Sequence, residues 1–423
     1  MANSIGFVND TLHVEAASLV DIAQRVGTPA FVYSKALLTA QYHELENAFG
    51  GIPHRIHYAV KANSNLKVLE LFHSLGAGFD IVSGGELSRV LTIGADPSSV
   101  IFSGVGKSTE EIDFALKTGI GCFNVESRGE LTRILERAEL LHCTAPVSIR
   151  VNPNVDAQTH PYISTGLKEN KFGVTADEAL QLYAIADASD DADILGIDCH
   201  IGSQISQAEP LLEALTNLLE LVDILSARGI ALRHIDLGGG FGICYKDETA
   251  LDLATYGASV RQILGHRPLS VIIEPGRSLT ANAGVLVTRV EYLKPSSQSD
   301  APNFAVIDAA MNDLIRPALY QAWHDVVPVT KGTVGSMAWN IVGPICESGD
   351  FIAKDRNLRL QEGDLVAIMS AGAYGMVQAS NYNSRDRACE VMVDGAHFNV
   401  IRRRENIRDQ LRLELEAQPE GSA

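Results

Sequence analysis

The sequence predicts an α/β chain made of a (β/α)8 barrel plus a C-terminal β domain, and three observations carry that prediction. Between about residues 55 and 275, eight short apolar runs alternate with amphipathic helical stretches. The residues just past those runs are chemically loaded, as they are at the mouth of a barrel. After about residue 280 strand-like runs follow one another mostly without helices between them.

The eight predicted barrel strands are Ile56–Val60, Phe79–Val82, Val100–Phe102, Cys122–Val125, Val147–Val151, Ile194–Cys199, His234–Leu237 and Val271–Ile273. They are short and rich in Val, Ile and aromatics, with helix-like segments such as Asn65–Leu75 and Pro210–Ala227 between them. Continuous apolar strands fit a sheet covered on both faces, and eight βα units in a row fit a closed barrel better than an open doubly wound sheet. Lys61, Ser83, Ser103, Glu126, Asn152, His200, Gly238 and Glu274 stand just past the strands. Charges gathered there need partners or a use, since unpaired burial is costly.

The β domain is read from Val285–Leu293, Phe304–Ile307, Trp339–Val342, Asp364–Ile368 and Cys389–Val393, joined by Pro29–Tyr33 from near the N-terminus. Turn formers such as Pro295-Ser296-Ser297 separate these runs. The expected division is a barrel over 36–279 and a β domain over 1–35 and 280–423. The segment Asn152–Phe172 is long, polar and glycine-containing, which suits an active-site lid. The sequence carries no internal repeat and no low-complexity segment.

Composition removes several classes of function. The chain has 423 residues, 46% of them hydrophobic and 20% charged, enough for a full core in two domains. A net charge of -18 opposes a nucleic-acid partner, which needs a basic face for counterion release. The run Arg402-Arg403-Arg404, followed by Glu405, reads as a solvated helix end. Met1–Val20 has neither the basic start nor the apolar stretch of a signal peptide, and no segment has the roughly 18 apolar residues of a membrane span. Six cysteines, at positions 122, 143, 199, 244, 346 and 389, form no CxxC pair, which fits a reducing cytoplasm and no metal site.

Four motifs carry chemistry. Lys61 lies in Tyr58-Ala59-Val60-Lys61-Ala62-Asn63. It could snorkel to solvent, or, buried in a barrel mouth, be neutral enough to condense with an aldehyde. Gly238-Gly239-Gly240-Phe241-Gly242 follows strand seven, where barrels often build a phosphate site, although a glycine run can also be a turn and nothing more. In Glu274-Pro275-Gly276-Arg277 a carboxylate could keep a pyridine nitrogen protonated and a guanidinium could grip an anion. The same pair could simply form a salt bridge closing the barrel. His200, in His200-Ile201-Gly202-Ser203-Gln204, could stack on a cofactor ring with Ser203 near a phosphate, or be a structural histidine.

The order of these four motifs resembles the fold-type III decarboxylases that use pyridoxal 5'-phosphate (PLP), which pair a (β/α)8 barrel with a β domain. The resemblance runs along nearly the whole chain. Asn312-Asp313-Leu314-Ile315-Arg316-Pro317-Ala318-Leu319-Tyr320, Gly343-Pro344-Ile345-Cys346-Glu347-Ser348-Gly349-Asp350 and Ala371-Gly372-Ala373-Tyr374-Gly375 are similar to the diaminopimelate decarboxylases among them. The resemblance implies that Lys61 binds the aldehyde, His200 stacks on the ring and Glu274 partners the pyridinium. Ser203, Gly238, Gly239, Gly240, Gly276, Arg277 and Tyr374 would complete the cofactor site. Arg277, Arg316, Tyr320, Glu347 and Tyr374 would hold the substrate, and Cys346 would donate a proton.

A substrate that is an amino acid at both ends needs a cation for its distal carboxylate and an anion for its distal ammonium, and Arg316 with Arg277, and Glu347, supply those charges. Pro317 disfavours a helical Arg316, which places that arginine at a helix entrance with Tyr320 one turn inside. From the residues alone Arg316 could be a surface cation, Tyr374 a core residue and Cys346 an ordinary buried cysteine. The resemblance further implies a cytoplasmic homodimer with shared active sites. The expected reaction converts meso-2,6-diaminopimelate to L-lysine and CO2, the last step of lysine biosynthesis. Rival readings are relatives acting on ornithine, arginine or a carboxylated polyamine, an alanine-racemase-like enzyme, and a PLP-binding regulator without turnover.

Overall fold

Eight parallel strands close into a barrel in the computed structural model, which describes residues 5–156, 171–298, 300–332 and 334–417. They are His54–Ala59, Gly78–Ile81, Val100–Phe102, Cys122–Val125, Ala145–Arg150, Ala192–Asp198, His234–Asp236 and Ser270–Ile273. The last pairs with the first, Val271 beside His54 and Ile273 beside Ile56, which closes the ring. Every expected barrel strand is present; Val100–Phe102 and Cys122–Val125 keep their expected ends and the others shift by at most two residues. Val60, read as strand, instead opens the 3-10 turn Val60–Ala62 that carries Lys61, and Val82 is 40% exposed beyond its strand.

Successive side chains on a strand point to opposite faces. Phe79 and Ile81 therefore turn one way and Asp80 the other, and all three are fully buried. The same alternation turns Asn124, Ser148, Arg150, Asp198 and Asp236 away from the helical layer, and each is buried as well. The strands are thus less uniformly apolar than expected, with a polar interior toward the C-terminal mouth. The helices between them start on local caps. Asn65 accepts from the Lys67 amide before Leu66–Ser74, and Ser108 with Glu111 forms a reciprocal capping box before Thr109–Thr118. The predicted Pro210–Ala227 helix is Glu209–Ala227, with Pro210 in its first turn where a missing N–H costs nothing.

The chain divides into two compact units, one holding residues 39–244 and 248–279, the other holding 1–38, 245–247 and 280–423. The second unit is built on a sheet in the order Phe351–Leu358, Met337–Val342, Phe304–Ile307, Gly284–Lys294, Ala30–Ser34, Cys389–Asp394, His397–Arg402. Leu365–Ile368 pairs with both Gly284–Lys294 and Val326–Pro328. The expected early strand does join this sheet, as Ala30–Ser34, antiparallel to Gly284–Lys294 and parallel to Cys389–Asp394. Its core gathers Val32, Val285, Val287, Ala367, Val391 and Val393, all fully buried.

Arg402–Arg404 is not a helix end. Arg402 closes the strand His397–Arg402, and the helix Ile407–Leu415 starts later, capped by Asn406 and Asp409. Arg403 serves that cap through a two-pronged ion pair with Asp409, at 2.5 and 2.6 Å. Most of the expected lid Asn152–Phe172 lies at residues 157–170, outside the described residues. Among the described residues no helix is long and apolar enough to cross a membrane.

Candidate active site

Lys61 is delivered by the 3-10 turn after the first barrel strand, and its ammonium turns inward. Nζ donates to Asp80 Oδ2 at 2.7 Å, and Asp80 is fully buried on the second strand. A lysine that simply reached for solvent would not have its head on a buried carboxylate.

Glu274 follows the eighth strand and is buried, and its Oε1 accepts no hydrogen bond among the described residues. Burial pushes its carboxyl well above the ordinary range, and the charges of Asp236, Asp80 and Asp198 push it further, with Lys61 opposing them. Asp198, Asp236 and Glu274 each offer an oxygen within 4.8 Å of the others. Burial first, then Gly238, Asp80 and hydrogen bonds from Glu274 and Asn124, set Asp236 at about 6. Carboxyls this close in a dry interior do not all ionise, so a proton or a cation must sit among them. The orphaned Glu274 oxygen fits the N–H of a pyridinium.

His200 follows the sixth strand. Its Nδ1 accepts from the Gly239 amide at 3.1 Å, so the ring is neutral with its proton on Nε2. Burial, then Arg150 and Lys61, hold its pKa well below the usual histidine value. The glycine run is pressed backbone to backbone between two other loops. A Cβ on Gly239 would lie 2.1 Å from the Glu274 carbonyl oxygen, and one on Gly240, at φ +86°, would lie 2.2 Å from that of Gly202. The Gly240 and Phe241 amides donate to no other group among the described residues, which is what a phosphate cradle requires. Arg277 Nη2 donates to Ser203 Oγ at 2.8 Å, joining the loops after strands six and eight. Gly276 packs against the Lys61 turn, where a Cβ would come 2.9 Å from Ala62 Cβ.

The barrel unit thus brings Lys61, His200, Ser203, Gly238, Gly239, Gly240, Glu274, Gly276 and Arg277 to the C-terminal ends of its strands. Sequence reasoning missed Asp80, Asp198, Asp236 and Arg150. Arg150 pairs with Glu126 at 2.7 Å and approaches Asp198 at 3.8 Å. Their signal was an acidic or basic residue inside an otherwise apolar strand. Two of the loaded positions prove to be local structure instead. Ser83 caps the helix Gly84–Thr92 through the Glu86 amide, and Ser103 Oγ accepts from Asn124.

In the β unit Arg316 is no surface cation. It is the first residue of the short helix Arg316–Tyr320, which Pro317 continues, and it is buried. Nη1 lies 2.8 Å from His324 Nε2, and the guanidinium sits 4.7 Å from the centre of the Tyr245 ring. Tyr320 ends the same helix, half-buried. Cys346 is exposed rather than part of the core, with Sγ 3.5 Å from Asn383 Oδ1. Glu347, beside it, accepts from the Tyr382 hydroxyl. Asp350 shapes this loop, accepting from the Ile345 amide at 2.9 Å and the Met311 amide at 2.7 Å. Tyr374 is half-buried on a separate loop and takes φ +54°, a conformation unusual for a tyrosine.

The family description "Pyridoxal-dependent decarboxylase, pyridoxal binding domain" matches residues 35–281. A diaminopimelate decarboxylase of Pseudomonas aeruginosa is 56% identical over 94% of this chain and 95% of its own. The crystal structure of diaminopimelate decarboxylase from Helicobacter pylori complexed with L-lysine aligns at a TM-score of 0.90 and 42% identity, covering 94% of this chain and 99% of that one. The enzyme from M. jannaschii in co-complex with L-lysine gives a TM-score of 0.93 at 33% identity, covering 99% and 98% of the two chains. Barrel and matched domain together define a pyridoxal-dependent decarboxylase, whose cofactor is PLP. Within that class the chain belongs to the diaminopimelate decarboxylase family.

Purified with PLP, the protein should absorb in the visible through a borohydride-reducible link to Lys61, and Lys61→Ala should remove both band and adduct. A reducible adduct surviving in the variant would place the link elsewhere.

Proposed function

We propose that the chain decarboxylates meso-2,6-diaminopimelate to L-lysine and CO2, as the final step of lysine biosynthesis in the cytoplasm. The observation that carries this is the buried Glu274 oxygen without a partner, set in the same mouth as the inward-turned Lys61. The substrate follows from the named relatives, two of them solved with L-lysine.

Lys61 would hold the cofactor aldehyde. Asp80, which orients its Nζ, is well placed to take up that ammonium's charge. His200, neutral and fixed by Gly239, would lie against the ring. Gly238, Gly239, Gly240, Ser203, Gly276, Arg277 and Tyr374 would enclose the phosphate. Bound PLP supplies a ring that accepts the electron pair left behind when CO2 departs. Glu274 would keep a proton on the ring nitrogen, which makes that acceptance favourable. Arg316, with Arg277, Tyr320 and Tyr374, would hold the distal carboxylate, and Glu347 the distal ammonium. Cys346 Sγ would then return a proton to the carbon that lost CO2.

In this reading residues 36–279 bind the cofactor, and 1–35 with 280–423 complete an active site. Cys346, Glu347 and Tyr374 would act on the substrate bound over the barrel of a second copy, as the family resemblance implies, so that a homodimer holds two equivalent shared sites. The exposure of Cys346 and Glu347 in the single chain supports such a role.

The direct test measures CO2 from the PLP-loaded protein given meso-diaminopimelate, ornithine or arginine separately. Release from diaminopimelate alone is expected, and preferred release from either of the others would reject the assignment. For the shared site, inactive Lys61→Ala chains are mixed with inactive Cys346→Ala chains under conditions that exchange subunits. Half the dimers become mixed and each holds one intact site, so activity should recover to about a quarter of wild type. Proven heterodimers without activity would reject sharing.

A further inference from the structure

We infer that His324 is the positioning residue for Arg316, and that it orients the guanidinium without neutralising it. This rests on the reading that Arg316 takes the distal carboxylate of the substrate. His324 is fully buried in the β unit and touches Arg316 and Met369 through its two ring nitrogens. Arg316 Nη1 lies 2.8 Å from His324 Nε2, and His324 Nδ1 lies 2.8 Å from the Met369 carbonyl oxygen. A guanidinium only donates and a carbonyl only accepts. Nε2 is therefore the unprotonated nitrogen and Nδ1 carries the hydrogen, so the two contacts fix the tautomer as well as the ring.

The choice of acceptor matters. An arginine that must read a carboxylate needs its plane fixed, because the two-pronged grip works only when both N–H groups point correctly. It also needs to keep its positive charge unspent. An Asp or Glu at this place would orient Arg316 equally well but would pair with it and weaken its pull on a substrate anion. Neutral imidazole fixes one N–H and leaves the charge intact. Tyr245 completes the mount, its ring 4.7 Å from the guanidinium carbon and edge-on to His324 at 5.3 Å. Arg356 adds a second cation behind the histidine, donating to the His324 carbonyl oxygen at 3.2 Å.

Two isosteric variants separate positioning from packing. His324→Asn keeps a donor where Nδ1 stands, toward Met369, and removes the acceptor that meets Arg316. His324→Gln keeps an acceptor near Nε2. The readout is equilibrium binding to the PLP-loaded protein of L-lysine and of cadaverine, which is lysine without its carboxylate. The lysine-to-cadaverine affinity ratio isolates carboxylate reading from cofactor binding and from fold. Arg316→Ala should abolish the preference for lysine. His324→Asn should lower the ratio about tenfold, the loss expected when one charge-assisted hydrogen bond no longer orients the fork, and His324→Gln should keep it within about twofold. If Arg316→Ala collapses the ratio but Asn and Gln leave it unchanged, or lower it alike, His324 is not the positioning residue while the role of Arg316 stands. If Arg316→Ala leaves the ratio unchanged, the reading of Arg316 fails and the role of His324 falls with it.

Discussion

A carboxyl group sealed from water without a partner is among the more expensive arrangements a protein interior can hold. One oxygen of Glu274, Oε1, is in that position, and Asp198 and Asp236 each bring an oxygen within 4.8 Å of a Glu274 oxygen. Much of the barrel mouth can be understood as a response to this negative interior. Lys61 bends back onto Asp80 instead of reaching outward. Arg150 is shared between Glu126 and Asp198. Burial and mutual repulsion raise the Glu274 carboxyl, so the pocket is disposed to accept a cationic ring nitrogen. A site pre-strained in this sense can bind such a group tightly while it stabilises little by itself.

The backbone makes that concentration of charge possible. The loops after strands six, seven and eight lie against one another so closely that Gly239 and Gly240 admit no side chain. The same closeness seats the His200 ring on the Gly239 amide and settles its proton on the far nitrogen. The β unit solves a different problem by a different device. There a buried guanidinium is oriented by a neutral imidazole. Carboxylates facing cations at the mouth and a neutral acceptor behind Arg316 are two ways of deciding where charge remains available.

How much of this was legible in the sequence depends on how local the signal is. The barrel strands and the residues just past them could be read, because apolar runs and the motifs around Lys61, His200, Gly239 and Glu274 are continuous in the chain. Asp80, Asp198 and Asp236 were passed over because each sits inside a strand, where alternation alone tells which face it takes. His324 and Tyr245 carry no motif; His324 lies only eight residues past Arg316 but beyond the short helix, and Tyr245 meets Arg316 from a chain segment far away in sequence. Phe351–Leu358 was missed because Lys354, Asp355 and Arg356 interrupt its apolar pattern, with Asp355 at φ +54°. The edge strand His397–Arg402 has no fully buried residue, and its apolar face is only Phe398 and Val400. Ser83, counted among the loaded positions past the strands, proves to be a helix cap, because position alone does not separate a cap from a site residue.

The central claim is that Glu274 keeps one buried oxygen, Oε1, unpartnered for a ring nitrogen. The most direct measurement compares the affinity of the apoprotein for PLP with its affinity for an analogue carrying C–H in place of that nitrogen, in wild type and in Glu274→Gln. The account predicts that wild type prefers PLP by about tenfold or more, the scale of one buried charged hydrogen bond, and that Glu274→Gln loses most of the preference while still linking the cofactor to Lys61. Equal affinity of wild type for the two compounds would contradict it.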